Sequence, residues 1–103
     1  MFKQFRDGIK LPKIIAAMKA AQAAINVGRF DVARSRIVTA YNMSLDTTFP
    51  RSAHINLTTF WGLMGVSLQE KGQNEIADHC LKMSNLLQSR FEAGDYYREP
   101  WTQ

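Results

Sequence analysis

Few residues in this chain have the types and spacing that catalysis or metal binding requires. His54 and His79 are the only histidines, and Cys80 is the only cysteine. His79 and Cys80 are adjacent, so on a helix they point about 100° apart and cannot share a ligand. Asp78 precedes His79, but no nearby residue could serve as a nucleophile activated by a base. The sequence therefore predicts no catalytic residue, no metal ion and no cofactor, in a protein that is not an enzyme.

The same residues have simpler structural interpretations. His79 is predicted at the surface or at its boundary, and Cys80 is predicted to be a small apolar residue of the core. Gly62, Gly65 and Gly72 lie in a helical pattern, and not in the loop between a strand and a helix that binds phosphate. Binding to another molecule is therefore the predicted activity.

Positive charge is concentrated in the first half of the chain. The net charge is +4, and residues 1–43 carry eight basic and two acidic side chains, whereas residues 44–103 carry five basic and seven acidic ones. This asymmetry fits an acidic partner, head-to-tail association of two copies, or simply a solubilising surface. As an alternative function, the sequence predicts binding to nucleic-acid phosphates through Lys10, Lys13, Lys19, Arg29, Arg34 and Arg36.

The sequence indicates neither export nor a membrane span. Residues 1–7 carry charges where a signal peptide needs an apolar run. The longest uninterrupted apolar run, residues 14–18, is far shorter than the roughly 20 residues of a spanning helix. A lone cysteine permits no internal disulfide and fits a reducing compartment. We therefore expect a cytoplasmic protein.

Apolar residues recur at helical spacing along most of the chain. Intervals of four, three and four residues place on one helical face Ile14, Met18, Ala21 and Ile25. Pro12 is predicted as the first residue of this helix, where its missing N–H costs nothing, and Gly28 is predicted to end it. No segment shows strand-like alternation, so the sequence predicts an all-α fold.

Four main helices in two antiparallel hairpins are predicted. Hairpin 1 covers about residues 12–43, a linker rich in turn formers covers residues 44–52, and hairpin 2 covers about residues 53–93. Gly94 is predicted to terminate the last helix. Residues 1–94 would thus form a single helical domain, followed by an aromatic tail over residues 95–103.

The two hairpins repeat a short motif. Residues 28–33, Gly-Arg-Phe-Asp-Val-Ala, align with residues 72–77, Gly-Gln-Asn-Glu-Ile-Ala. Each segment reads glycine, two residues, an acidic residue, a β-branched residue and alanine. The glycine ends one helix, and the acidic residue suits the positive N-terminus of the next. The small alanine is predicted where the two helices cross.

This pattern resembles the tetratricopeptide repeat, a helix–turn–helix unit of about 34 residues. In hairpin 2, the family's tryptophan, small residue, large apolar residue, turn glycine and crossing alanine correspond to Trp61, Gly65, Leu68, Gly72 and Ala77. In hairpin 1, Ala17 replaces the tryptophan, and the matching residues are Ala21, Phe30, Ala33 and Ala40. The turn glycines are 44 residues apart, because the linker lengthens the period.

The resemblance implies a right-handed array whose concave surface binds another protein, with a four-helix bundle as the alternative packing. Carried onto this sequence, the lining would be Ile15, Met18, Gln22, Ile25, Asn26, Thr59, Gly62, Val66, Gln69 and Glu70. Two repeats are fewer than such arrays need, so we expect a homodimer or a subunit of a complex. The predicted function is a non-enzymatic protein-interaction module, such as an adaptor, a chaperone-like protein or an inhibitor.

Two residues of hairpin 2 test this packing directly. A glycine inside a helix costs about 0.5–1 kcal/mol relative to alanine. Gly65 is therefore predicted where its helix touches a neighbouring helix too closely for a larger side chain. Trp61, one turn earlier, is predicted to be mostly buried, and the alternative is an exposed anchor for a partner.

Overall fold

A computed structural model of the chain describes the backbone of residues 2–98 and the side chains of residues 7–98. It contains four α-helices: α1 (Phe2–Asn26), α2 (Phe30–Leu45), α3 (Arg51–Glu70) and α4 (Asn74–Glu92). Within the described residues there is no β-strand, and the only β-type pairing is an isolated bridge between Pro50 and Tyr97. The predicted all-α fold is confirmed. No helix in this part of the chain is long and apolar enough to cross a membrane.

The turn of each hairpin is built around a glycine in the left-handed conformation. Gly28 and Gly72 both have φ of +75°, which a side chain would disfavour. The two turns share their hydrogen bonds: the Arg29 N–H donates to the Ala24 carbonyl and the Gln73 N–H to the Leu68 carbonyl, each at 2.8 Å. These bonds satisfy carbonyl groups that the ends of α1 and α3 would otherwise leave open. The predicted glycine terminators are therefore confirmed.

Helix α1 begins at Phe2, so the prediction that it begins at Pro12 is wrong. Pro12 lies inside the helix, where it has no N–H to donate to the Gly8 carbonyl. The part of α1 before the proline makes a tertiary contact. Asp7 is 1% exposed, and its Oδ2 accepts a hydrogen bond of 2.8 Å from the backbone N–H of Thr48. This contact ties the first part of α1 to the segment between α2 and α3.

The segment between the hairpins is shorter than predicted, and most of it is buried. The helices leave only residues 46–50 between them, instead of residues 44–52. Thr47 and Phe49 are 2% and 1% exposed. The Thr47 hydroxyl donates to the Met43 carbonyl at 2.7 Å, so the polar side chain is satisfied by the end of α2. The turn-forming residues therefore form a packed corner between α2 and α3, and not a loose connection.

The core is formed by the apolar faces that the helical spacing predicts. Fully buried side chains from the two hairpins are Ile14, Met18, Ala21, Ala33, Ile37, Ala40, Trp61, Met64, Leu68, Ala77, Cys80, Met83 and Leu87. A Cβ atom at Gly65 would lie 2.8 Å from Leu81 Cγ and 3.2 Å from Cys80 Cβ. The close approach of α3 to α4 at Gly65 and the burial of Trp61 are confirmed. The alternative of Trp61 as an exposed anchor is wrong.

The hairpins contact each other mainly through α2 and α4, which run side by side in the same direction. Near the first turns, Arg34 Nη2 donates to Glu75 Oε1 at 2.6 Å. Further along, the Tyr41 and His79 rings meet edge to face with centroids 5.4 Å apart. Near the last turns, the Arg90 guanidinium donates at 3.1, 2.9 and 3.3 Å to the carbonyls of Ser44, Leu45 and Thr47. Helix α2 of the first hairpin therefore lies beside α4, the equivalent helix of the second hairpin.

His54 connects α3 with α4, with the linker and with the residues that follow α4. Its side chain is 1% exposed, and its Nδ1 donates to the Leu87 carbonyl at 3.3 Å. Three aromatic rings surround the imidazole. Their centroids lie 6.1 Å (Phe49), 5.9 Å (Phe91) and 5.9 Å (Tyr96) from the centroid of the imidazole ring. Burial lowers the pKa of His54 from its ordinary value of 6.5; Arg90 adds to this effect, and the Leu87 carbonyl and Asp95 oppose it.

Folding stability should therefore fall as the pH drops below about 6.5. The unfolded chain then binds a proton at His54 that the folded chain does not, so the loss runs from the ordinary pKa down to the lowered one. Melting temperatures of the wild type and of His54→Phe, compared at about pH 7.5 and about pH 5.5, should show the larger loss in the wild type. His79 is present in both proteins. Equal losses would contradict this role of His54.

Candidate interaction surface

Three large apolar side chains are exposed along one face of α3. Ile55, Leu63 and Val66 are 65%, 66% and 45% exposed. Thr59 and Gly62 lie between them at helical spacing. These five residues are called here the α3 stripe. The core residues of α3 lie on the opposite side of the helix, so the exposed side chains of the α3 stripe face solvent, and Gly62 stands at its edge, where a Cβ atom would lie 3.3 Å from Ser84 Oγ of α4.

The α3 stripe lies in a part of the sequence that carries no formal charge. Between Arg51 and Glu70 there is no lysine, arginine, aspartate or glutamate. His54, the one histidine in this stretch, is buried. The solvent-facing side of an amphipathic helix usually carries charged residues. An apolar side chain on its own at a surface is ordinary, but three large ones on the same uncharged helix face are typical of an interaction site.

The resemblance to tetratricopeptide repeats predicted part of this face. Thr59, Val66, Gln69 and Glu70 are exposed, and Gly62 is half-buried. The predicted lining does not include Ile55 or Leu63, which are the most exposed apolar residues of α3. The signal for both is present in the sequence. They are large apolar residues outside the core spacing of α3, in a stretch without charge.

The predicted lining on α1 is only partly at the surface. Met18 and Ile25 are 0% and 1% exposed, so the prediction that they contact a partner is wrong for this conformation. Both lie on the face of α1 that enters the core. Ile15 and Gln22 are half-buried, and Asn26 is exposed. Gln22 Nε2 donates to Asn26 Oδ1 at 2.9 Å, so these amides already bind each other.

The basic residues predicted to bind nucleic acid are spread over more than one face. Lys13 and Lys19 are six residues apart on α1, which separates them by about 120° around the helix. Arg34 forms its ion pair with Glu75, and this bond lowers the pKa of the Glu75 carboxyl. The remaining residues are half-buried or exposed: Lys10, Arg29 and Arg36. Nucleic-acid binding stays a prediction.

The thiol and imidazole groups that could take part in chemistry occupy ordinary structural positions. Cys80 is fully buried, and burial raises the pKa of its thiol to about 12. His79 is half-buried, with its Nδ1 3.1 Å from the Glu75 carbonyl oxygen. Both positions agree with the predicted boundary and core roles. In residues 7–98, no group of three His, Cys, Asp or Glu side chains could hold a metal ion.

A cleft of about 460 Å³ lies between the first turns of α2 and α4. Phe30 and Ile76 contribute apolar surface to it, and Arg34 and Glu75 contribute their ion pair. Because these two charges bind each other, the cleft offers a ligand no uncompensated charge from either.

Comparison with protein families, with curated proteins and with solved structures found no match for this chain. The fold and the α3 stripe therefore carry the functional argument. What they establish is an all-α arrangement of two packed hairpins with one uncharged apolar helix face at the surface.

Proposed function

We propose that this chain is a non-enzymatic protein-interaction module that binds another protein surface through the α3 stripe. The observation that carries the proposal is the exposure of Ile55, Leu63 and Val66 on a helix face without charge. Removing apolar surface from water contributes about 25 cal/mol per Å². A partner that covers this face gains that contribution without removing any charge from water.

The polar residues around the α3 stripe support the same function. Asn56 is exposed on α3, as is Gln69 near its end. Protein interfaces commonly have an apolar centre and a polar rim that forms hydrogen bonds at its edge. The α3 stripe with these uncharged side chains has that composition. An adaptor, a chaperone-like subunit or an inhibitor would each use such a face.

The packing of the hairpins supports a tetratricopeptide-like array as the scaffold. The turns at Gly28 and Gly72 have the same conformation and hydrogen bonds, and α2 lies beside the parallel helix α4. In a simple up-down-up-down bundle, the second and fourth helices lie on a diagonal instead of side by side. Stacked repeats leave the faces of their terminal units uncovered, which suits a protein that binds a partner or a second copy.

A photoreactive amino acid at Leu63 should cross-link this chain to a protein in its native cell. The matched control places the same group at Val27, which is 71% exposed in the α1–α2 turn, against 66% for Leu63. We expect a discrete cross-linked product from position 63 and none from position 27. No product from position 63, or the same product from both positions, would contradict the proposal.

A further inference from the structure

We propose that the surface bound by the α3 stripe is the α3 stripe of a second copy, packed antiparallel around a two-fold axis. This inference rests on the proposed function and names the partner. A two-fold interface requires one surface to be complementary to itself, so that each contact occurs twice. The spacing of residues along α3 meets that condition.

Consider a two-fold axis perpendicular to α3, at the level between Phe60 and Trp61. This axis pairs the α3 stripe of one copy with the α3 stripe of the other. Ile55 of one copy then lies at the level of Val66 of the other, and Thr59 lies at the level of Gly62. The exposed Thr59 of each copy thus lies near the centre of the contact, and the large apolar side chains lie on either side. The exposed Leu63 adds apolar surface one residue beyond Gly62.

The charges at the two ends of α3 favour the antiparallel arrangement. The same axis brings Arg51, at the start of one α3, to Glu70, at the end of the other. A parallel pair would instead place Arg51 beside Arg51 and Glu70 beside Glu70. Only the antiparallel pair combines opposite charges at both ends of the uncharged stretch.

The helix dipole gives a second reason for this arrangement. The N-terminus of a helix carries a partial positive charge and its C-terminus a partial negative one. Within one chain, Arg51 stands at the positive end of α3 and Glu70 at the negative end; the first turn has no acidic residue, and the basic residue nearest the negative end is Lys71 at the C-cap. In the antiparallel pair, Arg51 lies at the negative end of the other α3 and Glu70 at its positive end. The association therefore places both charges favourably.

The size of the contact predicts a weak dimer. α3 has 20 residues, so it is about 30 Å long and about 10 Å wide, a footprint on the order of 300 Å². Stable interfaces typically bury about 800 Å² on each partner. The dimer should therefore exchange with the monomer, and its population should depend on protein concentration.

Sedimentation equilibrium over a series of protein concentrations tests the dimer. The wild type should show a reversible monomer–dimer equilibrium, and Val66→Lys should raise its Kd by at least about 30-fold, because a charge enters the apolar contact twice. Val27→Lys places the same charge at an exposed apolar residue of the α1–α2 turn, outside the α3 stripe, and should leave Kd unchanged. A wild type that remains monomeric throughout, or equal effects of the two variants, would overturn the inference.

Charge exchange tests the antiparallel geometry. Arg51→Glu and Glu70→Arg should each weaken self-association, because each creates two contacts between like charges. An equal mixture of the two variants should form a mixed dimer in which both contacts are again between opposite charges. Arg51 also lies over the Phe91 and Tyr96 rings at 5.4 and 5.8 Å, so melting curves must show that Arg51→Glu is folded. A mixture that associates no better than either variant alone would overturn the antiparallel pair.

Cross-linking separates this inference from the proposed function. A product from position 63 with twice the 11.7 kDa mass of the chain supports the second copy as partner. A product with a different protein, and none with twice that mass, overturns the inference and leaves the proposed function intact. No product at all contradicts both.

Discussion

Trp61→Ala is expected to lower the free energy of unfolding by about 3–5 kcal/mol, the range found when large buried aromatic side chains are truncated. Trp61 is 0% exposed and belongs to the core that joins the two hairpins. Its removal would take away apolar contacts and leave a cavity that the surrounding helices can close only in part. Denaturant unfolding followed by circular dichroism measures the change.

Trp61→Phe is the matched control for this prediction. The indole Nε1 of Trp61 is buried, with no hydrogen-bond partner among the residues that the structure describes. A buried donor without a partner costs about 1–3 kcal/mol, so phenylalanine keeps most of the apolar contact and removes that cost. We expect Trp61→Phe to be clearly more stable than Trp61→Ala. Similar, small losses in both variants would show that the Trp61 ring contributes little to the core.

Gly65→Leu should lower the free energy of unfolding by roughly 1–3 kcal/mol or more, because it overfills the contact between α3 and α4. Even a Cβ atom at this position would lie 2.8 Å from both Leu81 Cγ and Leu81 Cδ2. Leu81 can move by changing its rotamer. Cys80 Cβ, which a new Cβ would approach to 3.2 Å, is attached directly to the backbone of α4. Further side-chain atoms therefore require the two helices to separate.

Alanine at two glycine positions distinguishes close packing from helix propensity. Gly8 also lies inside a helix, but a Cβ atom there would meet nothing within 4 Å. Gly8→Ala should therefore stabilise the protein by about 0.5–1 kcal/mol, the ordinary gain over glycine in a helix. Gly65→Ala should gain less or lose stability. If Gly65→Leu unfolds at the same denaturant concentration as the wild type, the close contact of α3 with α4 is wrong.

Local signals were sufficient to predict the hairpin turns and most of the core. A glycine at a helix end is favoured by the positive φ that the turn requires, and Gly28 and Gly72 both adopt it. Helical spacing is likewise a local property. The turns of α1 before Pro12 are joined to the rest of the chain by the hydrogen bond between Asp7 and Thr48, which are 41 residues apart. A local reading of Pro12 could not include that contact, and it placed the start of the helix too late.

The candidate site shows the limits of carrying positions over from a resemblance. The spacing of apolar residues on α1 placed Met18 and Ile25 on the core face, whereas the resemblance placed them on a binding surface. Their burial follows the spacing. On α3 the resemblance selected Thr59 and Gln69, both of which are exposed. It did not select Ile55, because a family pattern describes the positions that its members share, and an exposed isoleucine at position 55 is specific to this chain.

The hydrogen bonds of Arg90 have a consequence for the time order of folding. Its guanidinium binds carbonyl oxygens at the end of α2, so hairpin 1 is completed by a side chain that hairpin 2 supplies. Arg90 follows Ser44 by 46 residues. At a synthesis rate of about 5–20 residues per second, α2 exists for roughly 2–9 seconds before that side chain is made. During biosynthesis the end of α2 therefore has only its local hydrogen bonds, such as that of the Thr47 hydroxyl, and it gains those of Arg90 when α4 is nearly complete.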